Sequence, residues 1–450
     1  MIKRKIIVIG GSAAGPAASA KAKRVNPQNE VVLYEAGNYI SIGTCELPYV
    51  LTGEIENLEK IIFFTPESFE KEKGVKVFVR HRVESIDRVK KRIYVRDLNT
   101  QKVFEDYYDK LILCTGSIKK IHSEFKQNLD NVFYLKTVDD AKSILNFVSK
   151  NNITSSLLIG TGYTGLEVLE FLKKISNRVY ATDIAELPLT GFDLEFRKIV
   201  LDKMNELNIN FLPAGNYIKV IAKDNKVTHI MVNKEKIDVD LVLISIGVKP
   251  ENSLAQQCGL SMNFPSDSIK VDDKQKTSDD NIYAAGDCSG VKEFITKKQI
   301  WLPLSTLAYN SGHVAGANAA GENISTLPVV RNMVFKFFDI NFALVGLNMP
   351  ELNDLTLNKV SVSTIGSSKI NIMPNGEKHF IKLYYKKDDG KILSAQFVGG
   401  EDIVGKANLI SFAIRNNISI QKLYETNYAY TPSLSPFIDS LSIIGKKSRD

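Results

Sequence analysis

The 450-residue sequence predicts an α/β fold with two parallel-sheet units and a separate C-terminal α+β unit. Three observations predict it. A pattern of buried strand, glycine turn, helix, second strand and acidic residue occurs twice. Further short apolar runs end in Thr-Gly, Gly or Gly-Asp. Beyond about residue 326 no glycine fingerprint occurs and strand-like runs take over.

The first copy runs Ile6-Ile7-Val8-Ile9, then Gly10-Gly11-Ser12-Ala13-Ala14-Gly15, then a small-residue helix through Lys23, then Val31-Val32-Leu33-Tyr34 closed by Glu35. The second runs Ser156-Leu157-Leu158-Ile159, Gly160-Thr161-Gly162-Tyr163-Thr164-Gly165, a helix through Ile175, then Val179-Tyr180-Ala181-Thr182 closed by Asp183. In such a motif the first glycine allows the tight turn, the second lets backbone approach a pyrophosphate, and the third lets helix pack on strand. The free N–H groups of the helix N-terminus attract the phosphates. The acid accepts hydrogen bonds from a ribose diol. Both copies therefore read as Rossmann-like dinucleotide-binding units, with Ser12 in place of the second glycine of the first. At Asp183 a carboxylate suits a free 2′-hydroxyl and repels a 2′-phosphate, and no arginine follows within several residues, so NADH is expected over NADPH.

The remaining elements follow in order. Leu111-Ile112-Leu113-Cys114-Thr115-Gly116 is a buried strand ending in a tight turn, Leu241 to Ile246 ends at Gly247, and the stretch from Thr277 ends in Gly286-Asp287. Residues 1–118 and 251–325 are expected to form the first unit, with 119–250 inserted as the second. In the last unit, 326–450, strands are expected over Met333 to Phe338, Phe380 to Tyr385 and Ile392 to Val398, then a helix over Ile403 to Arg415.

Composition narrows the function classes. Hydrophobic residues make up 44% and charged residues 24%, as in globular proteins. The net charge of +7 comes from interleaved Lys, Arg, Asp and Glu. A mild positive field favours anionic small molecules, and no basic run with interleaved aromatics points to nucleic acid. No stretch approaches a membrane-spanning length, and the N-terminal apolar run is too short for a signal peptide. Four cysteines (45, 114, 258 and 288) make no disulfide framework, and no His/Cys cluster has metal-ligand spacing. A reducing, cytoplasmic setting is expected.

The most informative peptide is Ser41-Ile42-Gly43-Thr44-Cys45-Glu46-Leu47-Pro48-Tyr49-Val50, just beyond Glu35. Together with the two glycine turns, Thr65-Pro66-Glu67-Ser68-Phe69, Thr115-Gly116, Gly165-Leu166-Glu167, Gly286-Asp287 and Tyr428-Ala429-Tyr430-Thr431-Pro432, it resembles the pyridine nucleotide–disulfide oxidoreductase family over nearly the whole chain. More narrowly it is similar to the single-cysteine branch of coenzyme A-disulfide reductases, persulfide reductases, NADH oxidases and NADH peroxidases. The resemblance implies a glutathione-reductase-type fold whose C-terminal domain dimerises and completes the partner's active site. It implies FAD and NADH as cofactors, held by Gly10, Ser12, Ala13, Ala14, Gly15, Glu35, Ser41, Thr115, Gly116, Gly286 and Asp287 in one unit, and by Gly160, Gly162, Tyr163, Thr164, Gly165, Glu167, Asp183 and Gly247 in the other. Cys45 becomes the redox thiol, with Tyr430 of the partner subunit as proton donor.

Departures from the wider family choose the branch. The positions five residues from Cys45 are Ile40 and Val50, so no intramolecular redox disulfide forms there. None of the five histidines (81, 122, 229, 313, 379) has the setting of the C-terminal His–Glu pair used by two-cysteine relatives, and His379 reads as surface. Ala13 stands where oxidases and peroxidases carry histidine. The Leu-Pro-Tyr version of the cysteine peptide belongs to the coenzyme A-disulfide and persulfide reducers. Residues 370–374 lack the extra tyrosine common in coenzyme A-disulfide reductases, which leaves persulfide, polysulfide or another thiol adduct open. Lys21, Arg24 and Lys71, with Lys23, are candidate contacts for coenzyme A phosphates. Cys45 is expected to stay ionised with help from the flavin and the helix that follows it. The alternatives are an NADH oxidase using a Cys45 sulfenic acid and a flavin- and NADH-binding sensor in which Cys45 merely packs.

Overall fold

The computed structural model describes residues 2–125, 129–215 and 217–449. Ile282–Ala284, Lys110–Leu113, Lys5–Ile9, Glu30–Tyr34 and Lys76–Phe78 lie side by side in one wholly parallel sheet. Val132–Tyr134, Leu241–Ile244, Ser155–Ile159, Arg178–Asp183 and Ile209–Pro213 form a second sheet of the same kind. Strands covered on both faces must be apolar throughout, and Ile6, Ile7, Val8, Leu157 and Leu158 are fully buried. The short strands Ser117–Lys119 and Val248–Pro250 pair antiparallel where the chain passes from one unit to the other and back.

The helices used below are α1 (Ala14–Val25), α2 (Leu47–Thr52), α3 (Tyr163–Ile175), α4 (Ser305–Ala320), α5 (Asp402–Arg415) and α6 (Ser440–Lys447). The two glycine turns repeat each other atom for atom in their crowding. A Cβ on Gly10 would lie 2.1 Å from the Cys114 carbonyl oxygen, and one on Gly160 would lie 2.4 Å from that of Ser245. Both glycines also have positive φ, so no other residue type suits these two positions. The small residues of α1 have a further cause. Helix α4 lies against α1 at backbone distance, and Cβ atoms on Gly312 and Gly316 would meet the carbonyl oxygens of Ala14 and Ala18 at 2.3 and 2.0 Å.

The third sheet is antiparallel, in the order Asn332–Phe337, Ile340–Gly346, Ile392–Gly399, Lys378–Lys386 and Lys359–Ser367. On one face Ile381, Leu383, Ala395 and Phe397 pack on Ile403, Ile410 and Ile414 of α5 and on Leu441 and Ile444 of α6. On the other, Phe335, Phe337, Phe342 and Leu344 share a core with Phe192 and Phe196, with Leu166 of α3, and with Leu47, Val50 and Leu51 of α2. That core anchors α2 and so fixes the cysteine peptide.

One expectation is overturned here. His379 is buried, not on the surface. Its Nε2 lies 2.5 Å from Ser440 Oγ and its Nδ1 2.8 Å from Asp402, and Lys406 reaches Asp439 at 2.6 Å. The strand's alternation places His379 on the same side as Ile381 and Leu383, the side that α5 and α6 cover. The cluster ties α6 to the sheet.

Candidate active site

A cavity of about 450 Å³ runs from Glu35 to Cys45 and is lined by Gly10, Ser12, Ala13, Ala14, Thr115, Gly116, Gly286 and Asp287. A second, of about 370 Å³, is lined by Gly160, Gly162, Gly165, Asp183 and Gly247. Tyr163, Thr164, Leu135, Lys136 and Val248 line both, so the two spaces meet beside the N-terminus of α3. Cys45 and most of the sequence-derived nucleotide contacts thus line two adjoining clefts. Gly15 packs against the Gly10 carbonyl and lies outside them. Ser41 also stands apart, holding the cysteine strap through its N–H to the Gly11 carbonyl at 2.7 Å.

The clefts suit nucleotides by their own chemistry. Among the described residues, none beyond the adjoining chain comes within 4 Å of where a Cβ would sit on Gly116, Gly162 or Gly247, so backbone there is open to a ligand. Ser12 is exposed, which explains why a side chain is accepted at that turn. Each acid closing a second strand braces its own turn. Glu35 accepts from the N–H of Gly11 (2.6 Å) and Gly37 (2.5 Å), while Asp183 accepts from the N–H and hydroxyl of Thr161 (2.7 and 2.9 Å). Burial pushes the Glu35 carboxyl up, and those N–H groups oppose the rise. Asp287 is fixed by the Ser117 hydroxyl at 2.8 Å, and Lys136 stands 3.9 Å from it.

Cys45 lies in a 3₁₀ turn, Thr44–Glu46, that runs directly into α2, with Pro48 in the first turn of that helix. Cys45 is exposed and lines the first cavity. Cys114 and Cys288 are buried, and Cys258 lines neither cleft. The hydrogen-bond partner of the Cys45 sulfur is the Ser305 hydroxyl, 3.0 Å away at the start of α4. Support for the sulfur thus comes from the first residue of α4 as well as from the cysteine's own segment, whose turn leads straight into α2. Burial pushes the Cys45 thiol up from its ordinary value. The Ser305 hydrogen bond pulls it down, the Glu46 and Glu167 carboxylates push it up, and the Lys136 ammonium pulls it down. The expected ionisation of Cys45 is thus opposed by the protein's own burial and carboxylates.

Beside the thiol, Glu167 accepts a hydrogen bond from the Tyr49 hydroxyl at 3.3 Å. Burial pushes its carboxyl up to about 7, against the Tyr49 hydroxyl and the Lys336 N–H. Sequence reading placed Glu167 among nucleotide contacts but missed its tie to Tyr49. It missed Ser305 and Lys136 altogether, since nothing local marks either one.

Tyr430 does not line either cleft. It is 43% exposed, stacks edge-on against Phe437, and neighbours Leu434 and Phe437, which are 77% and 71% exposed. Lys21, Arg24 and Lys71 also lie outside the clefts, and Lys21 pairs with Glu322 at 3.1 Å. Lys21 and Arg24 do flank His313, whose imidazole burial and those two cations hold below its usual value. Tyr309 lies one turn from His313 on α4, with ring centroids 6.4 Å apart.

The pyridine nucleotide–disulphide oxidoreductase model matches residues 4–317, and the dimerisation-domain model of the same family matches residues 333–441. An NADH oxidase of Methanocaldococcus jannaschii is 30% identical over 98% of this chain and 97% of its own. A CoA-dependent NAD(P)H sulfur oxidoreductase of Pyrococcus abyssi is 28% identical over 99% of this chain and 98% of its own. The solved NAD-dependent persulfide reductase of A. fulgidus superposes with a TM-score of 0.94 at 27% identity, covering 99% of this chain and 83% of that one.

Proposed function

Since the chain belongs to the pyridine nucleotide–disulphide oxidoreductase family, we propose that it is a flavin-dependent NAD(P)H oxidoreductase that reduces a coenzyme A disulfide, persulfide or polysulfide at Cys45. The observation that carries this reading is the lone open thiol at the end of the first cleft, where the second cleft joins it. FAD would be held by the Gly10–Gly15 turn, Glu35, Thr115, Gly116 and Asp287, and the pyridine nucleotide by the Gly160–Gly165 turn, Asp183 and Gly247. Bound flavin supplies the passage of two electrons from the nicotinamide to sulfur.

The chain's own residues supply the rest. The Cys45 thiolate attacks one sulfur of the substrate, forming a Cys45–sulfur bond and expelling the other sulfur as a thiolate or sulfide. Tyr430 of the partner subunit protonates that leaving group. Reductive cleavage of the Cys45–sulfur bond releases the second sulfur and restores the thiolate, so one hydride and one proton yield two thiols from a disulfide. NADH is the preferred donor because the Asp183 carboxylate disfavours a 2′-phosphate. The chain assembles as a homodimer, the partner covering Leu434 and Phe437 and bringing Tyr430 to the cleft. Lys21, Arg24 and Lys71 attract the phosphates of coenzyme A, and Tyr309 and His313 offer rings beside them.

Two measurements test this. Intact-protein mass before and after dithiothreitol should fall by coenzyme A or by one sulfur atom, and Cys45→Ser should abolish both the adduct and disulfide or polysulfide reduction. Retention of that activity by Cys45→Ser would sink the proposal. Similarity to the M. jannaschii NADH oxidase favours a second reading, reduction of oxygen through a Cys45 sulfenic acid. Oxygen uptake stoichiometric with NADH loss and indifferent to added polysulfide would select it.

A further inference from the structure

The Cys45 sulfur sits 3.0 Å from the hydroxyl of Ser305, a residue 260 positions away in the chain. This approach is built rather than incidental. Ser305 is the first residue of α4, and Leu304 before it offers no side-chain cap. The hydroxyl therefore points outward into the cleft, which Pro303 and Ser305 help to line. Behind it the helix is locked in place. Gly312 and Gly316 press on the α1 backbone, the Gly286 N–H donates to Ser311 at 3.0 Å, and the Trp301 indole N–H donates to the Asp287 carbonyl at 2.7 Å. The same elements that shape the first cleft thus hold Ser305 against the sulfur.

We propose that Ser305 is a catalytic residue whose hydroxyl donates a hydrogen bond to the Cys45 thiolate, stabilising it both when it attacks substrate sulfur and when reductive cleavage regenerates it. The inference rests on the redox role of Cys45 and deepens it. A serine hydroxyl gives up its proton far less readily than a thiol, so it donates to the anion without transferring a proton. A donor to a charged acceptor contributes more than one to a neutral acceptor, so the bond favours the thiolate over the thiol. The need for such a donor is visible in the surroundings. Tyr49 and Glu46 on the cysteine segment, Glu167 and Tyr163 on α3, Asp287 beyond the first sheet, and Lys136 just after the strand Val132–Tyr134 face the same space. Among these Lys136 is the one cation.

The test is the pH dependence of Cys45 alkylation by iodoacetamide in the flavin-loaded enzyme, read by peptide mass. With Ser305→Ala the alkylation midpoint should move up by about one pH unit, so that below both midpoints the reaction slows roughly tenfold. Ser305→Thr, which keeps the hydroxyl, should restore the wild-type midpoint, with flavin content equal in all three proteins. An unmoved midpoint in Ser305→Ala overturns the proposal, as does a Thr variant that behaves like Ala, which would mean packing and not the hydroxyl is at work. Turnover surviving in Cys45→Ser would defeat the functional reading instead, while leaving the alkylation profile free to report on the hydrogen bond.

Discussion

Glu167 offers a quantitative check on the site's electrostatics. It is a carboxyl on α3, held between the Tyr49 hydroxyl and the Lys336 N–H, and burial raises it from 4.5 to about 7. Such a group binds its proton more tightly folded than unfolded. Folding stability therefore falls as pH rises from about 4.5 to about 7 and is level above that. A rise of about 2.5 pH units corresponds to roughly 3 kcal/mol, an upper figure because the site opens partly to a cleft. Glu167→Gln removes the ionisation while its amide oxygen still accepts from Tyr49. Relative to wild type, the variant should gain up to roughly 2.5 kcal/mol at pH 8.5 compared with its standing at pH 5, the rest being already lost between about pH 4.5 and pH 5. Urea unfolding of the flavin-loaded protein, followed by fluorescence of the single tryptophan, Trp301, reads this directly. The variant should also lose any inflection near pH 7 in the Cys45 alkylation profile, since the Glu167 charge acts on that thiol. A wild-type-to-variant difference that is the same at both pH values would refute the argument.

Other outcomes follow from single contacts. If Asp183 selects the nucleotide as proposed, Asp183→Ala should lower the NADH-over-NADPH ratio of kcat/KM by roughly tenfold or more; an unchanged ratio would place discrimination elsewhere. Tyr430→Phe should lower kcat for disulfide reduction by roughly a hundredfold while NADH still bleaches the flavin absorbance, and equal loss of both would remove Tyr430 from proton transfer. Gly316→Val must push α1 away from α4, because its Cβ would lie 2.0 Å from the Ala18 carbonyl oxygen. A cost of roughly 1–3 kcal/mol should appear as a lowered thermal midpoint and weaker flavin retention, whereas an unchanged midpoint would deny the close helix contact.

How much was legible in the sequence depended on how local the cause was. The glycine turns are readable because the crowding acts through backbone a few residues away and through one parallel neighbour strand, so Gly10 and Gly160 repeat the same signature. The small residues of α1 were visible in the sequence, but their cause, the Gly312 and Gly316 face of α4, lies some 300 positions later. His379 was misread for a different reason. Alternation shows which residues share a face, and His379 shares one with Ile381 and Leu383. Reading that face as solvent ignored that a sheet with apolar residues on both sides needs cover on both. Gly366 and Gly399 make the room, since a Cβ on either would lie 2.5 Å from the His379 side chain.

Cys45 shows where local reading stops. The peptide announces a thiol beside a nucleotide fold, but its proton affinity is decided by burial and by Ser305, Glu46, Glu167 and Lys136, of which only Glu46 belongs to that peptide and the others reach it from three distant stretches. Desolvation and two carboxylates resist ionisation, while one hydroxyl and one ammonium favour it. A thiol so balanced responds to whatever changes the charge of the cleft: a proton on Glu167 would favour the thiolate, and loss of that proton would oppose it. With Glu167 poised near 7, the ionisation of Cys45 is tied to a second titrating group within the same cavity. The cysteine's reactivity should therefore follow two coupled ionisations and not one.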